Sequence, residues 1–129
     1  METKAPISAM AAYNVFQQNC PSRRVFDLVG ERWAALVLLA LHGQPLRFSA
    51  LRRQIEGISQ KMLTQTLRAL ERDGLVRRHA FATVPVTVEY SLTPLGDSLC
   101  EVIEGLRAWA YANAGTMSSA RQAYSQQRP

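Results

Sequence analysis

The chain has 129 residues, 47% of them apolar, and a formal net charge of +5. That length suits one domain with its own core. The longest apolar run, residues 33–41, is far short of a membrane span, and no basic start, apolar stretch and small-residue cleavage site opens the chain. A cytoplasmic protein that does not engage a membrane is therefore expected, and two cysteines, Cys20 and Cys100, do not make a disulfide framework. The charge is concentrated: residues 46–80 hold eight basic and three acidic residues, which accounts for the whole excess. Such focusing favours a polyanion as partner.

Residues 1–19 read as a loose tail or dimerisation segment, with a helical end over residues 11–18 where Val15 and Phe16 can dock. Cys20-Pro21 opens a helix, since Pro suits the first helical position, and Gly30 ends it. Residues 31–41, with Trp33, Leu36, Val37, Leu38, Leu39 and Leu41, are apolar nearly all round and predict a central buried helix. Residues 46–48 allow a very short strand. Ser49 is a candidate N-cap for a helix to about Glu56, with Leu51 and Ile55 turned inward.

Gly57-Ile58 then links tightly to a helix over residues 59–73. Ser59 suits its N-cap and Gly74 the left-handed position after its end, with Leu75 folding back onto Leu70. Leu63, Thr66, Leu67 and Leu70 share one side at about 100° per residue. Gln60, Lys61, Thr64, Gln65, Arg68 and Arg72 share the other, read here as a face without acids. Such side chains can reach base edges and phosphates in a DNA major groove; the alternative is an ordinary solvated helix face. Two short helices joined by a Gly-containing turn make a helix-turn-helix.

After Gly74 the period changes to two, over residues 76–82 and again over residues 86–92, which predicts a β-hairpin. Behind a reading helix such a hairpin is a wing. Thr93-Pro94 starts a last helix. Leu95, Leu99, Val102, Ile103, Leu106, Trp109 and Ala110 form a stripe of about five turns, longer than the small body can cover, so a second subunit is expected over it. The fold class is mainly α with a small hairpin wing: a winged helix-turn-helix over residues 20–93, an N-terminal dimerisation segment over 1–19, a dimerisation helix over 94–114 and a mobile tail over 115–129.

No Gly-rich phosphate loop, nucleophile motif or zinc-ligand spacing occurs, and Cys20, His42, His79 and Cys100 are scattered. No catalytic, cofactor or metal site is expected. DNA contacts are expected from Ser59, Gln60, Lys61, Thr64, Gln65 and Arg68 on the reading helix, and from Arg47, Ser49, Arg52, Arg53, Arg77, Arg78 and His79 around it. The dimer seam is expected from Val15, Phe16, Leu99, Val102, Ile103, Leu106 and Trp109. Cys20 precedes a helix start, with Arg23 and Arg24 following, and both features favour a thiolate; the alternative is an inert small residue at a cap.

Residues 20–106 resemble the HxlR-type winged helix-turn-helix regulators of bacteria, relatives of the MarR group. The matching pieces are Cys20-Pro21, Gly30-Glu31-Arg32-Trp33, Leu46-Arg47-Phe48, Gly57-Ile58-Ser59, Leu63-Thr64-Gln65, Leu67-Arg68-Ala69-Leu70-Glu71, Asp73-Gly74-Leu75-Val76, and Val88-Glu89-Tyr90-Ser91-Leu92-Thr93 with Gly96. Departures lie in the wing, where Val86 and Thr87 follow Pro85 in place of a second Pro and a basic residue, and at Glu56 and Glu31. The resemblance implies a homodimer reading double-stranded DNA, and a redox-sensing role for a cysteine at the position of Cys20. The expected function is a dimeric, sequence-specific regulator, a repressor, on a near-palindromic operator, with an oxidant or electrophile as effector. A small-molecule effector, or a winged helix that binds protein, are the alternatives.

Overall fold

The computed structural model describes residues 13–127. The chain forms α1 (Arg23–Gly30), α2 (Ala34–Leu41), β1 (Leu46–Arg47), α3 (Phe48–Gln54), α4 (Gln60–Arg72), β2 (Val76–Phe81), β3 (Thr87–Leu92) and α5 (Pro94–Gln127). The strands make one antiparallel sheet in the order β1-β3-β2. This is the winged helix-turn-helix expected from the sequence: α3 and α4 are the helix pair, β2 and β3 the wing.

The core is built on α2. Val37, Leu38 and Leu41 are fully buried, and Leu28, Leu51, Ile55, Leu63, Leu67, Leu70, Val76 and Ile103 close around them. An uncharged helix has little to offer water, so its neighbours pack around most of it, and within α2 Leu36 alone stays exposed. Glu31 starts it: its carboxylate accepts from the amides of Trp33 (3.2 Å) and Ala34 (2.8 Å), serving donors that no earlier turn can satisfy. Trp33 therefore sits at the cap position and not inside the helix, its indole under the Arg32 guanidinium.

Other boundaries also differ from expectation. Residues 13–19 form turns and not a helical end, because Asn14 Oδ1 accepts from the Phe16 amide and competes with helical bonding; Ala11 and Ala12 lie outside the described residues. Pro21 and Ser22 form a turn, with the Arg23 amide donating to Cys20 O at 3.0 Å, so α1 opens at Arg23. Ser49 lies within the first turn of α3, whose cap position is Arg47.

α4 begins and ends as expected. Ser59 Oγ accepts from the Met62 amide at 3.1 Å. At the far end the Leu75 amide donates to Leu70 O (3.0 Å) and the Gly74 amide to Glu71 O (3.1 Å), with Gly74 at φ +77°. This crossed pair is the Schellman ending, and its left-handed residue is where glycine costs least. Leu63, Thr66, Leu67 and Leu70 are all buried. Arg24 donates to Asp73 Oδ2 at 2.7 and 3.2 Å, tying α1 to the end of α4.

α5 runs to Gln127, which corrects both the expected end at residue 114 and the non-helical tail from 115. Residues 115–127 hold Ala, Met, Arg and Gln and no proline, so nothing stops the backbone bonding. Ile103 is also corrected. With Gly96 and Cys100 it lies on the side of α5 that packs into the chain's own body, so it belongs to the core and not to a seam.

Gly96 marks the closest approach of α5 to the rest. A Cβ there would collide with Leu75 O and press on Leu92. Because backbone cannot move aside as a flexible side chain can, Gly96→Ala is expected to destabilise the fold by about 2 kcal/mol or more. Urea unfolding checks this; unchanged stability would mean that α5 does not hold this position.

Candidate nucleic-acid interface and thiol site

α4 turns its apolar side inward, which leaves Gln60, Lys61, Gln65, Arg68 and Arg72 exposed and Thr64 half-buried. Ser59 already accepts the Met62 amide, so its hydroxyl proton is what remains to donate outward. The face is free of acids through residue 70 only. Glu71, exposed, lies in line with Gln60 and Thr64 at helical spacing, so the acid-free reading holds for the N-terminal turns and fails in the last one.

Arg47, Ser49, Arg52 and Arg53 are exposed on the strand and helix just before α4, and Arg77, Arg78 and His79 are exposed on β2. Successive strand residues alternate faces, so Arg77 and His79 point one way and Arg78 the other. All three are exposed because past Val76 neither face of β2 is covered. His79 meets the Phe81 ring edge-on at 4.4 Å and pairs in register with Glu89. The register also sets Arg47 opposite Glu89, so Glu89 on the central strand has a basic side chain on each flank. The wing tip is apolar, with Val84 and Val86 exposed.

Cys20 is buried, at 8% exposure, beneath the turns formed by residues 13–19. Its Sγ lies 3.0 Å from Ser22 Oγ and accepts from the Asn14 amide at 3.3 Å. The Ser22 hydroxyl chiefly, with the backbone of Ser22, Asn14 and Arg23, holds the thiol below its ordinary value against the opposing effect of burial. The cations expected to do this are directed elsewhere: Arg23 donates to Phe16 O at 3.3 Å and Arg24 to Asp73. Cys100 is the opposite case. Fully buried, it donates to Leu38 O at 3.4 Å, and burial together with the charges of Glu104 and Asp97 pushes its thiol up.

Along α5, Leu95, Val102, Leu106 and Trp109 are exposed and Leu99 is half-buried; on α1 Val25 and Phe26 are exposed. Phe16 is 89% exposed and Val15 half-buried. Two features were not visible in the spacing of residues. One is the Glu31 cap. The other is a cluster of His42, Cys100 and Glu104, which the fold gathers across 62 positions of sequence. Among the described residues no helix is long and apolar enough to cross a membrane.

A family model described as HxlR-like helix-turn-helix matches residues 28–118. YtfH of Escherichia coli, an HTH-type transcriptional regulator, is 50% identical over 100 residues, 78% of this chain and 79% of that protein. The solved structure of YtfH from Salmonella typhimurium, a transcriptional regulator, matches with a TM-score of 0.78 and 44% identity, over 85% of this chain and 98% of its own. HypR, a redox regulator solved in its oxidised form, matches with a TM-score of 0.69 and 36% identity, over 73% of this chain and 97% of its own. The chain therefore belongs to the HxlR-like helix-turn-helix family and is a transcriptional regulator, a class of protein that works by binding and not by catalysis.

Proposed function

We propose that this chain is a dimeric repressor that reads a near-palindromic operator with the N-terminal turns of α4, and that chemistry at Cys20 releases it. The observation that carries the reading is α4 itself. It is capped at both ends, anchored by four inward residues, and presents Gln60, Lys61, Thr64, Gln65 and Arg68 together. Lys and Arg bond guanine O6 and N7, and Gln bonds adenine N6 and N7. Arg47, Ser49, Arg52 and Arg53 flank this helix and serve phosphate, as do Ser59 and the basic residues of the wing.

Dimerisation is supported by the apolar residues that α5 leaves outside. Leu95, Leu99 and Val102 line a groove of about 430 Å³ with Val25, Leu28 and Leu75, and Leu106 and Trp109 continue its apolar side along α5. A second copy offering the same surface covers both. In this arrangement residues 20–93 bind DNA, α5 assembles the dimer over the expected 94–114 span, and residues 115–127 lengthen it. Val15 and Phe16 add to the seam from the turns that cover Cys20.

The switch is supported by the Cys20 environment and by likeness to a redox regulator. Diamide would take two electrons and two protons from a pair of thiols, becoming the hydrazide as the sulfurs join. The proposed pair is Cys20 with Cys20 of the second copy, since Cys20 retains 8% exposure beneath the turns of residues 13–19 whereas Cys100, at 0%, lies in the core. A bonded sulfur displaces the Asn14 and Ser22 contacts and resets residues 13–22 against α1. A second reading has one observation in its favour. A groove of about 420 Å³ lined by Ala35, Leu36, Leu39, Ile55, Ile103 and Leu106 has the size and apolar character that suit a small-molecule effector.

Replacing Gln65 or Arg68 by Ala is expected to lower discrimination between operator and random DNA by about 1–3 kcal/mol, measured by fluorescence anisotropy. In the same assay, removing whichever of Arg77 and Arg78 faces the phosphates lowers the log–log salt slope by about one, and removing the other leaves it unchanged. Unaltered discrimination in both α4 variants would show that α4 does not read bases.

The thiol makes a separate prediction. Alkylation of Cys20 should reach half its limiting rate below the ordinary thiol pKa, and Ser22→Ala should move that point upward. Diamide should weaken operator binding by the wild type and not by Cys20→Ser. An ordinary alkylation profile with diamide-indifferent binding would leave the α2–α5 groove as the effector site.

A further inference from the structure

The C-terminal end of α2 meets the middle of α5 at three potential metal ligands. His42 Nδ1 lies 2.9 Å from Glu104 Oε2. Cys100 stands four residues before Glu104, one turn back on the same side of α5, and the imidazole, thiol and carboxylate donor atoms all lie within 4.8 Å of one another. Zinc bonds of about 2.0–2.3 Å place tetrahedral ligands about 3.5 Å apart. Small side-chain rotations separate these atoms from that arrangement.

We propose that His42, Cys100 and Glu104 bind a divalent zinc-type ion. The donor set selects the class. One nitrogen, one sulfur and one carboxylate oxygen suit zinc, whereas magnesium and calcium take oxygen alone. Access exists on one side. The His42 and Glu104 side chains are 39% and 29% exposed, while Cys100 forms the buried floor. Three protein ligands leave the fourth position to water on the exposed side.

The remaining bonds fit an ion. Arg107 donates to Glu104 Oε1 at 2.6 and 2.9 Å and to Oε2 at 2.8 Å. It can keep Oε1 while Oε2 turns to the metal, and so orient the carboxylate as outer partners of metal ligands commonly do. Cys100 exchanges its bond to Leu38 O for the ion, and His42 gives up its bond to Glu104, its ring proton residing on Nε2 so that Nδ1 offers its lone pair. The Cys100 S–H bond breaks, the zinc–sulfur bond forms, and the proton passes to water, with no change of oxidation state. The ion would pin the end of the central helix α2 to α5.

The test uses the untagged full chain, stripped with chelator and kept reduced, titrated with Co(II) and then with Zn(II) against a chromophoric competitor. One equivalent should bind, with a thiolate-to-cobalt charge-transfer band, and Zn(II) should raise the unfolding midpoint. His42→Ala and Glu104→Gln should each weaken binding at least tenfold and remove the midpoint shift. Cys100→Ser should abolish the band, and Cys20→Ser should retain it. Equal affinity in wild type and His42→Ala, or a band that follows Cys20, would overturn the assignment. If Cys100→Ser fails to fold, the two variants at exposed positions decide the matter, with the Cys20→Ser band as control.

Discussion

The carbonyls of Gly74 and Leu75 both receive hydrogen bonds from Thr93, and the rest of the molecule is set by that junction. Thr93 Oγ1 donates to Gly74 O at 2.6 Å and the Thr93 amide to Leu75 O at 3.1 Å. The same hydroxyl oxygen accepts from the Gly96 amide at 3.0 Å and so caps α5. The end of α4, the start of β2, the end of β3 and the start of α5 are therefore joined over a few atoms. Gly96 allows this by lacking a side chain where Leu75 O passes. Leu75 is buried in the core and Thr93 half-buried beside it, so the end of α4 and the start of α5 are tied at this point.

On the proposed reading, this junction is the route by which α5 would influence the set of α4. In the proposed dimer, affinity for two half-sites would depend on both α4 helices meeting the groove together, and their separation would follow from how two α5 helices pack. In that arrangement a change at α5, or in the segment covering Cys20, would reach α4 through the packed helices between them. The proposed ion site lies on the other flank of α5, against the end of α2. Thiol chemistry and metal binding would thus act on the same packed core from two sides, each biasing one arrangement of helices.

Much of the fold was legible because its signals are local. Ser59, Gly74 and the Thr93-Pro94 pair sit within a turn of the amides and carbonyls they serve, and the spacing of Leu63, Thr66, Leu67 and Leu70 alone gave the buried face of α4. What failed was long-range or a matter of choice between faces. Nothing in the run from Leu95 to Trp109 says that Gly96, Cys100 and Ile103 turn inward while Val102 and Leu106 turn out; contact with α2 and Leu75 decides it. Polar composition past residue 114 reads as mobility, yet the helix continues through Gly115 to Gln127 with no proline to interrupt it. Arg23 and Arg24 follow Cys20 closely, yet the fold gives them other partners, and a neighbouring hydroxyl takes over the role. His42, Cys100 and Glu104 meet only because α2 and α5 pack.

Hydroxyl-radical footprinting of this protein on the DNA upstream of its own coding sequence tests most directly whether a symmetric pair of α4 helices reads DNA. Two symmetry-related protected patches, separated by about one helical turn or a simple multiple of it, are predicted, weakening together when Gln65 or Arg68 is replaced. A single patch, or protection that does not change with α4, would contradict the account.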